Sequence, residues 1–422
     1  MLKKAEKMRS SLPVQGASWN KIEAALREAK SNDYDWKGGR LPLYVYWRDE
    51  ALYRVAKDAA SLFFVENGLG KRAFPSAQQL EKDVIDMVLG LMQAGPGAVG
   101  NFTSGGTESI FLAAKTARDY ALAMRPAISQ PKMILPQSAH PAFDKAAHYL
   151  NMAAVRVPLR SDYRADVEGM RDAVDDDAVM LVGSAPAYPH GRFDSIEQIA
   201  QLGCERDLWV HVDACVGGML SPFVQRLGYD IPPYDFSVDG VSSISVDLHK
   251  YGFCAKGAST LLFRDVELQR FIGFEFNNWP RGKYFTETFL GTRPASPIAS
   301  AWAVMHFLGE EGYLDIARTT METKARVQAG IGEIAGLATL EPSELSFLLY
   351  YSTDDGLDIN AVASGMADLG WFVGRCNAPS AIHLMFNPVH AAVVDDYLQD
   401  LKDVVRRVRE TGCVGVMDDQ TY

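Results

Sequence analysis

The stretch Ser245-Val-Asp-Leu-His-Lys-Tyr-Gly-Phe-Cys-Ala-Lys-Gly257 decides the fold class of this 422-residue chain. It overlaps the apolar run Val241–Val246, which predicts a buried strand, and it places Lys250 just beyond the end of that strand. In α/β proteins, ligands bind at the carboxyl ends of the strands. A solvated turn would account for the pair His249-Lys250 by itself, so the interpretation of Lys250 depends on the residues that accompany it.

A second predicted strand end carries a carboxylate. Asp213 closes the run Leu208–Asp213 and belongs to the sequence His211-Val-Asp-Ala-Cys-Val-Gly-Gly218. A carboxylate at the tip of a buried strand is costly unless it meets a cation, although an aspartate there can also cap the following loop. Pyridoxal 5′-phosphate (PLP) needs a lysine that condenses with its aldehyde and a carboxylate that keeps its ring nitrogen protonated. Lys250 and Asp213 together therefore predict a PLP enzyme.

A glycine-rich loop, Asn101-Phe-Thr-Ser-Gly-Gly-Thr-Glu-Ser109, leads straight into a predicted helix, and the N-terminus of a helix attracts anions. The groups available to an anion are the hydroxyls of Thr103, Ser104 and Thr107 and the backbone N–H groups of Gly105 and Gly106. The loop matches neither a Walker loop nor a dinucleotide fingerprint, so ATP and NAD are not implied. A plain N-cap would explain it alone. Together with Lys250 and Asp213, it is interpreted as the site of the cofactor phosphate.

Two further basic residues fit the same cofactor. His140 ends the sequence Gln137-Ser-Ala-His140 after a predicted strand, where its imidazole can stack on a pyridine ring or make one ordinary loop hydrogen bond. Lys256 follows Lys250 closely, and we expect it to lower the pKa of Lys250 and so help to keep that lysine a free amine. The alternatives for Lys256 are holding a substrate phosphate, shuttling a proton, or a solvated loop position.

Apolar runs alternate with amphipathic segments through most of the chain, which predicts a mainly parallel sheet covered on both faces. Strands are predicted at Lys132–Pro136, Ala153–Leu159, Ala178–Gly183, Leu208–Asp213, Val241–Val246 and Ala258–Arg264. Helices are predicted at Asn20–Lys30, Glu108–Met124, Ala142–Leu150, Asp166–Val174, Ser195–Arg206, Pro297–Leu308, Tyr313–Ala335, Ile359–Leu369 and Ala391–Glu410. We expect an N-terminal arm (1–60), a large PLP-binding α/β domain (61–300) and a small C-terminal α+β domain (301–422).

Bulk composition excludes several classes of protein. The net charge is −11 and the basic residues are dispersed, which argues against nucleic acid as a partner. The five cysteines are odd in number and show no C-x-x-C spacing, so a disulfide framework or zinc site is not expected and a reducing cytoplasm fits. No apolar run approaches the roughly 20 residues of a membrane span. We therefore expect a soluble, cytoplasmic protein with neither a metal nor a transmembrane segment.

The motifs, in this order, resemble the sphingosine-1-phosphate lyases, a branch of the group II decarboxylase-like, fold-type I PLP enzymes, and among them the soluble members of bacterial type. The sequences that carry the resemblance are Val45-Tyr-Trp47, Thr103-Ser-Gly-Gly-Thr-Glu-Ser109, Pro136-Gln-Ser-Ala-His140, Tyr188-Pro-His-Gly191, His211-Val-Asp-Ala-Cys215, Asp247-Leu-His-Lys-Tyr-Gly252, Lys256-Gly257 and Gly291-Thr-Arg-Pro294. They run from about residue 40 to residue 310. The resemblance implies the fold-type I PLP-dependent transferase fold and a homodimer.

The resemblance also implies roles for individual residues. Lys250 would attach the cofactor covalently, His140 would stack on its ring and Asp213 would bind its nitrogen. Around the cofactor phosphate it places Ser104, Gly105, Gly106 and His249. Tyr46 and Lys256 would lie near the substrate and act in catalysis. Arg293 would approach an active site, either its own or that of the neighbouring subunit, and contribute to substrate binding.

The implied reaction is retro-aldol cleavage of a phosphorylated long-chain sphingoid base to a fatty aldehyde and phosphoethanolamine. Two alternatives stay open. The same cofactor residues serve an amino-acid decarboxylase when the bond to the carboxylate is the one aligned for cleavage, and one fold readily supports several reactions. A PLP-binding protein without catalytic activity is the third hypothesis.

One position departs from the lyase pattern. Where those enzymes carry a histidine in an Asn-x-Leu-His segment, this chain has Asn67-Gly-Leu-Gly70. Lys71 or Arg72 is a candidate for a replacement cation. The departure leaves the prediction of PLP intact and bears on the site of the substrate phosphate.

Overall fold

Strands and helices alternate along most of the chain in the computed structural model, which describes residues 11–70 and 72–415. The strands are β1 (Val99–Thr103), β2 (Lys132–Pro136), β3 (Ala153–Val157), β4 (Ala178–Ser184), β5 (Trp209–Asp213), β6 (Ser243–Val246), β7 (Ser259–Phe263), β8 (Phe274–Phe276), β9 (Tyr284–Thr286), β10 (Leu337–Thr339), β11 (Phe347–Ser352), β12 (Gly374–Asn377) and β13 (Ser380–Met385). The helices are α1 (Trp19–Ala29), α2 (Glu50–Leu62), α3 (Pro75–Leu91), α4 (Gly106–Met124), α5 (Ala142–Leu150), α6 (Val167–Asp172), α7 (Ile196–Arg206), α8 (Ser221–Arg226), α9 (Val266–Gln269), α10 (Ser296–Gly332), α11 (Ile359–Asp368) and α12 (Val394–Thr411). A 3-10 helix covers Pro388–Val393.

The large sheet has seven strands in the order β1-β7-β6-β5-β4-β2-β3. The pairs from β3 through β6 are parallel, whereas β7 runs antiparallel to β6 and to β1. The prediction of a mainly parallel sheet is therefore confirmed, with an antiparallel edge that the apolar pattern did not reveal. Every residue of β4 is buried, as expected for a central strand covered on both faces.

The register of the central strands determines where the predicted site residues meet. Asp213 is paired with Ser245 of β6 on one side and with Ser184 of β4 on the other. Because these strands are parallel, their carboxyl ends lie at one edge of the sheet. The loop after β6, which carries Lys250, therefore begins beside Asp213.

A second sheet of four antiparallel strands, in the order β10-β11-β13-β12, forms the C-terminal part. The helices predicted at Pro297–Leu308 and Tyr313–Ala335 correspond to the two segments of α10, which are separated by non-helical backbone at Gly309, where φ is 56°. Glycine adopts this left-handed conformation without steric cost. Residue 300, the predicted domain limit, lies inside the first turns of α10. The limits at 60 and 300 remain predictions.

The N-terminal segment crosses the small sheet before it reaches the large one. Arg40 accepts a backbone hydrogen bond from Phe372, Pro42 accepts one from Met385, and the Val45 carbonyl accepts one from the Asn387 amide. These bonds fix residues 40–46, so Tyr44 and Tyr46 have defined positions next to the large sheet. Helix α2, which the sequence analysis missed, follows and packs against α10.

Three further observations concern the described part of the chain. None of its helices is both long and apolar enough to cross a membrane. It contains no group of three or more histidine, cysteine, aspartate or glutamate side chains that is arranged to hold a metal ion. The five cysteines all have free thiols: Cys204, Cys215, Cys254, Cys376 and Cys413.

Candidate active site

A cleft of about 420 Å³ opens at the carboxyl ends of the central strands of the large sheet. Its volume is in the range typical of small-molecule sites. Nine of the ten residues predicted from sequence line it: Tyr46, Ser104, Gly105, Gly106, His140, Asp213, His249, Lys250 and Lys256. Residues from distant parts of the chain thus converge on one cleft, because the loops that carry them all start at the same edge of the sheet.

Lys250 makes an ion pair inside the cleft. Its Nζ lies 2.9 Å from Oδ2 of Asp247, a carboxylate of which only 2% is exposed. Burial alone lowers the pKa of the Lys250 ammonium, but the charge of Asp247 and the neighbouring Cys215 and Asp213 raise it by more, so this pKa lies above its ordinary value. Without cofactor, Lys250 is therefore protonated at neutral pH.

The expectation that Lys256 keeps Lys250 a free amine is not met, because the carboxylate of Asp247 raises the pKa of Lys250 above its ordinary value. Burial of the Lys256 ammonium end, followed by repulsion from Lys250, lowers the pKa of Lys256 itself to about 8. The residue as a whole is exposed, yet its Nζ donates to the carbonyls of Tyr44 at 3.0 Å and His249 at 3.2 Å. Because Asp247 pairs with Lys250, Lys256 is the lysine of the pair that more readily becomes a neutral amine.

Asp213 lies at the end of β5 with one oxygen engaged. Its Oδ1 accepts hydrogen bonds from the Cys215 N–H at 3.1 Å and from the Ser245 hydroxyl at 3.4 Å. No basic side chain of residues 11–70 and 72–415 forms an ion pair with it, although it is buried. A buried carboxylate in this state is suited to a cationic partner that enters from the cleft.

The glycine-rich loop brings the start of α4 against the cleft. A Cβ atom at Gly106 would lie 2.9 Å from both Asp247 Oδ2 and Cys215 Sγ, so glycine is needed for this close approach. Ser104 is exposed, and its N–H donates to Glu108 Oε2 at 2.7 Å. Thr103, a predicted contributor, is buried and its hydroxyl bonds to Ser109 at 2.6 Å, so the prediction of its hydroxyl as an anion ligand is wrong.

Glu108 connects the glycine-rich loop to the segment after β9. Its Oε2 accepts the N–H of Ser104, while its Oε1 accepts the N–H groups of Phe289 at 2.9 Å and Leu290 at 3.4 Å. Sequence analysis assigned Glu108 no role in the site. Its side chain holds two segments of the chain together beside the cleft.

Both predicted histidines have their rings fixed by the backbone. His140 Nδ1 accepts the N–H of Ala142 at 3.1 Å, and burial lowers the pKa of His140, so the ring is neutral and aromatic stacking is available to it. His249 Nδ1 bonds to the Ala258 carbonyl at 2.8 Å, and its Nε2 lies 3.7 Å from Asp247 Oδ2. The His249 ring also lies beside the start of α4, where a phosphate is predicted, since a Cβ atom at Gly105 would lie 3.7 Å from its Cε1.

Tyr46 reaches the cleft from the N-terminal segment. Its ring packs edge-on against Tyr251, with centroids 4.8 Å apart, and its hydroxyl lies 3.6 Å from Met385 Sδ. The Lys256 ammonium lies 5.3 Å from the centre of the Tyr46 ring. Tyr46 and Lys256 thus form one corner of the cleft, as their predicted common role requires.

Arg293 is not brought to the cleft of its own chain. Its guanidinium makes a bidentate ion pair with Glu81, at 2.7 and 3.0 Å, and also donates to the Phe102 carbonyl. A substrate-binding role of Arg293 within one chain is therefore corrected: the strong pairing with Glu81 holds it elsewhere. The proposed approach to a neighbouring subunit's site stays a prediction.

The segment with the departure from the lyase pattern also lies outside the cleft lining. Gly70 donates its N–H to Asn67 Oδ1 at 3.0 Å, and a Cβ there would meet the Phe74 ring at 3.3 Å. Arg72 is exposed and does not line the cleft. Lys71 lies outside the described residues.

Asp247 is the residue that sequence analysis missed. It stands three positions before Lys250 in the stretch Ser245–Gly257. In a tight turn after a strand, two side chains at this spacing can come into contact. Oδ1 of Asp247 is buried with no hydrogen-bond partner among the described residues. An aspartate at a strand end next to a candidate cofactor lysine was the available signal.

Replacing Asp247 by asparagine is expected to speed the capture of PLP by cofactor-free protein. Loss of the carboxylate lowers the pKa of Lys250, and each unit by which it falls gives about tenfold more free amine at neutral pH. We expect the capture rate at neutral pH to rise about tenfold or more, measured by the absorbance of lysine-bound PLP. Asp235→Asn, another buried aspartate outside the cleft, serves as the control. If the rate of PLP capture depended on pH in the same way in Asp247→Asn and the wild type, Asp247 would not be the group that raises the pKa of Lys250.

The residues of the cleft fit PLP. The buried Asp213 carboxylate, which has no ion pair with a basic side chain of the described residues, suits a protonated ring nitrogen, and the neutral His140 ring suits the face of a pyridine. Gly105 and Gly106 leave the start of α4 open to a phosphate, and Lys250 lies in the same cleft.

Comparison with known proteins gives the same result over most of the chain. The profile of the pyridoxal-dependent decarboxylase conserved domain matches residues 52–335. Sphingosine-1-phosphate lyase of Arabidopsis thaliana is 40% identical over 406 residues, which cover 94% of this chain and 74% of that protein. The solved structure of sphingosine-1-phosphate lyase from Burkholderia pseudomallei matches with a TM-score of 0.91 at 35% identity, covering 96% of this chain and 94% of the other. These similarities confirm the predicted fold-type I PLP fold.

A relative with another name is also similar. A probable L-tyrosine/L-aspartate decarboxylase of Methanothermobacter thermautotrophicus is 33% identical over 353 residues, which cover 82% of this chain and 93% of that protein. The relatives are thus named for two different reactions, a lyase reaction for the first two and a decarboxylation for the third.

Proposed function

Since this chain belongs to the sphingosine-1-phosphate lyase family of pyridoxal-dependent enzymes, we propose that it cleaves the Cα–Cβ bond of a phosphorylated long-chain sphingoid base. The products are a fatty aldehyde and phosphoethanolamine. The observation that carries the proposal is the meeting of Lys250, Asp213 and His140 in one cleft with Tyr46 and Lys256 at its corner. The protein is a PLP-dependent lyase, so the hypothesis of a non-catalytic PLP-binding protein is dropped.

The cofactor-binding residues divide the work of holding PLP. Lys250 would attach it covalently, Asp213 would keep its ring nitrogen protonated, and the ring of His140 would stack on it. Backbone N–H groups at the start of α4, with Ser104 and His249, would bind its phosphate. When bound, PLP accepts the electron pair that is left when a bond at the substrate α-carbon breaks.

Lys256 and Tyr46 are the residues that we propose to handle the proton of the substrate 3-hydroxyl group. A base that works near neutral pH needs a pKa close to the working pH, and the pKa of Lys256 is lowered to about 8. The Tyr46 ring lies beside that ammonium and orients it. As Lys256 loses its proton, it becomes able to take the hydroxyl proton, so this step is favoured as the pH rises through about 8.

The substrate phosphate needs a basic site, and the chain differs from the lyase pattern here. Gly70 replaces the histidine, and neither Arg72 nor Arg293 lines the cleft of the same chain. Since Lys256 and His249 have other proposed roles, we propose that Arg293 of a neighbouring subunit supplies this basic site.

A homodimer is the proposed assembly. The hairpin of β8 and β9 and the segment after it expose an unusual number of large apolar side chains: Phe274, Phe276, Trp279, Phe285, Phe289 and Leu290. Exposed apolar patches of this kind mark interaction surfaces. A particle mass in solution of twice the 46.4 kDa of one chain would support the dimer, and a monomer of full activity would contradict it. We also propose a cytoplasmic location, in which the free thiols of the five cysteines would be maintained.

The second candidate function is an amino-acid decarboxylase. The similarity to the probable decarboxylase of Methanothermobacter thermautotrophicus favours it, as does the absence of the histidine at position 70. The orientation of the bond to be broken decides between the two reactions, and the cofactor residues are shared.

Product analysis by mass spectrometry tests the proposed function. Purified enzyme loaded with PLP is incubated with a phosphorylated sphingoid base and, separately, with a panel of amino acids. We expect long-chain aldehyde and phosphoethanolamine in equal amounts from the first incubation. Carbon dioxide and an amine from one amino acid, with the lipid unchanged, would overturn the lyase and establish the decarboxylase.

A further inference from the structure

A second cavity, of about 730 Å³, continues directly from the cofactor cleft. It lies between the N-terminal segment with Leu43 and Tyr44, the loops that follow β2, β3 and β4, and the small sheet with α11. Tyr44, His140 and Tyr188 line both the cavity and the cleft. We name it the interdomain cavity. A ligand whose reacting end lies at Lys250 can therefore extend into it.

Aromatic and aliphatic side chains form most of its wall. Phe372 packs against the rings of Tyr34 and Tyr44, with centroids 5.2 and 5.5 Å away, and Leu159 and Val373 add aliphatic surface. Tyr44 has a φ of 60°, which few residues other than glycine adopt, and its carbonyl is held by Lys256. The apolar wall at the junction with the cleft is thus fixed by backbone and ring contacts.

The polar groups of the interdomain cavity carry little free charge. Burial lowers the pKa of His190 and lowers that of His383 to about 4, so both rings are neutral at neutral pH. Of the two arginines in its lining, Arg160 lies 3.6 Å from an Asp162 oxygen and Arg375 donates to the Ser364 hydroxyl. No aspartate or glutamate of the described residues lines the cavity. An apolar ligand can therefore bind in this cavity without leaving a charged side chain of the wall unpaired.

We propose that the interdomain cavity holds the hydrocarbon chain of the substrate, an inference that rests on the proposed lyase function. The chain begins one carbon beyond the bond that breaks, so it must leave the cleft close to Lys250. A further cavity of about 550 Å³ shares no lining residue with the cleft and carries the carboxylates of Glu81, Asp86 and Glu287, which makes it unsuitable. The interdomain cavity is continuous with the cleft and has a mostly apolar lining, so it is the better site for the hydrocarbon chain.

Ala367 provides the test, because it lines the interdomain cavity from α11 and is itself exposed, so that a larger side chain there does not disturb the core. Wild-type enzyme is assayed with phosphorylated sphingoid bases lengthened by two methylenes at a time. We expect KM to fall about tenfold for each added pair while the chain is being buried. In Ala367→Trp the loss of kcat/KM should grow with chain length and reach about 10- to 100-fold for the longest substrates.

Two controls separate this effect from general damage. Ala367→Ser adds little volume, and Asp368→Trp places the same indole at the neighbouring exposed position, which does not line the cavity. Both should keep the chain-length dependence of the wild type. An equal loss at every chain length in Ala367→Trp, or no loss at all, would overturn the proposal.

A binding measurement distinguishes failure of this inference from failure of the proposed function. An unreactive long-chain analogue without the 3-hydroxyl group is titrated calorimetrically into wild-type enzyme and Ala367→Trp. We expect Kd to rise about 10-fold or more in the variant. Aldehyde from no substrate at all, together with this rise, would overturn the lyase and leave the cavity as a chain-binding site. Aldehyde formation with unchanged Kd would retain the lyase and overturn the cavity.

Discussion

Lys250→Ala is expected to abolish aldehyde release and to remove the absorbance of lysine-bound PLP. Among the described residues that line the cleft, Lys256 is the other lysine, and it is held by the carbonyls of Tyr44 and His249. The rate with a phosphorylated sphingoid base should fall by about 10³-fold or more, the scale seen when a covalent catalytic group is removed. The measurement combines an absorbance spectrum of the reconstituted protein with quantification of the aldehyde.

Lys256→Ala is the matched control, because it removes a lysine from the same cleft. This variant should keep the absorbance of lysine-bound PLP while its turnover falls. Retention of that absorbance in Lys250→Ala, together with its loss in Lys256→Ala, would show that the two lysines have been assigned in the wrong order.

Asp213→Asn is expected to lower kcat by about 10²- to 10³-fold while PLP stays attached to Lys250. Asparagine has nearly the same shape, but its neutral amide does not keep the ring nitrogen protonated. Loss of one partner from a buried charge pair costs about 3–5 kcal/mol, which corresponds to this range of rates. Steady-state kinetics, with the lysine-bound absorbance as a measure of occupancy, tests it.

Asp213→Glu keeps the charge and should recover part of the lost rate if charge is the property that matters. Equal activity in Asp213→Asn and the wild type would mean that Asp213 only caps its loop through the Cys215 N–H, the alternative that the sequence left open.

The central part of the fold was predictable because its strands are short apolar runs buried on both faces. Strand β2 and helix α5 have the predicted limits, Lys132–Pro136 and Ala142–Leu150. The hairpin of β8 and β9 was missed because its side chains are mostly exposed, so its sequence does not show the alternation of buried and exposed residues that indicates a strand. The two helices predicted on either side of Gly309 were also predictable, and they correspond to the two segments of α10 that its non-helical backbone separates.

For the site, sequence analysis identified residue types that have a specific partner in a cofactor. It missed Asp247, whose importance comes from a contact with Lys250 that only the turn after β6 creates. The resemblance placed Arg293 near an active site, its own or that of the neighbouring subunit, whereas within its own chain Glu81, far away in sequence, binds that guanidinium. The expected free amine at Lys250 was not found for the same reason, since the neighbouring carboxylate of Asp247 raises the pKa of Lys250.

The bonds of Glu108 imply that cofactor binding and subunit association are thermodynamically linked. One of its oxygens holds the loop proposed for the cofactor phosphate, and the other holds Phe289 and Leu290 on the surface proposed for the dimer. If ordering one segment favours ordering the other, each equilibrium must strengthen the other by the same factor. The affinity of the protein for PLP would then rise with protein concentration, and dilution alone would promote loss of the cofactor.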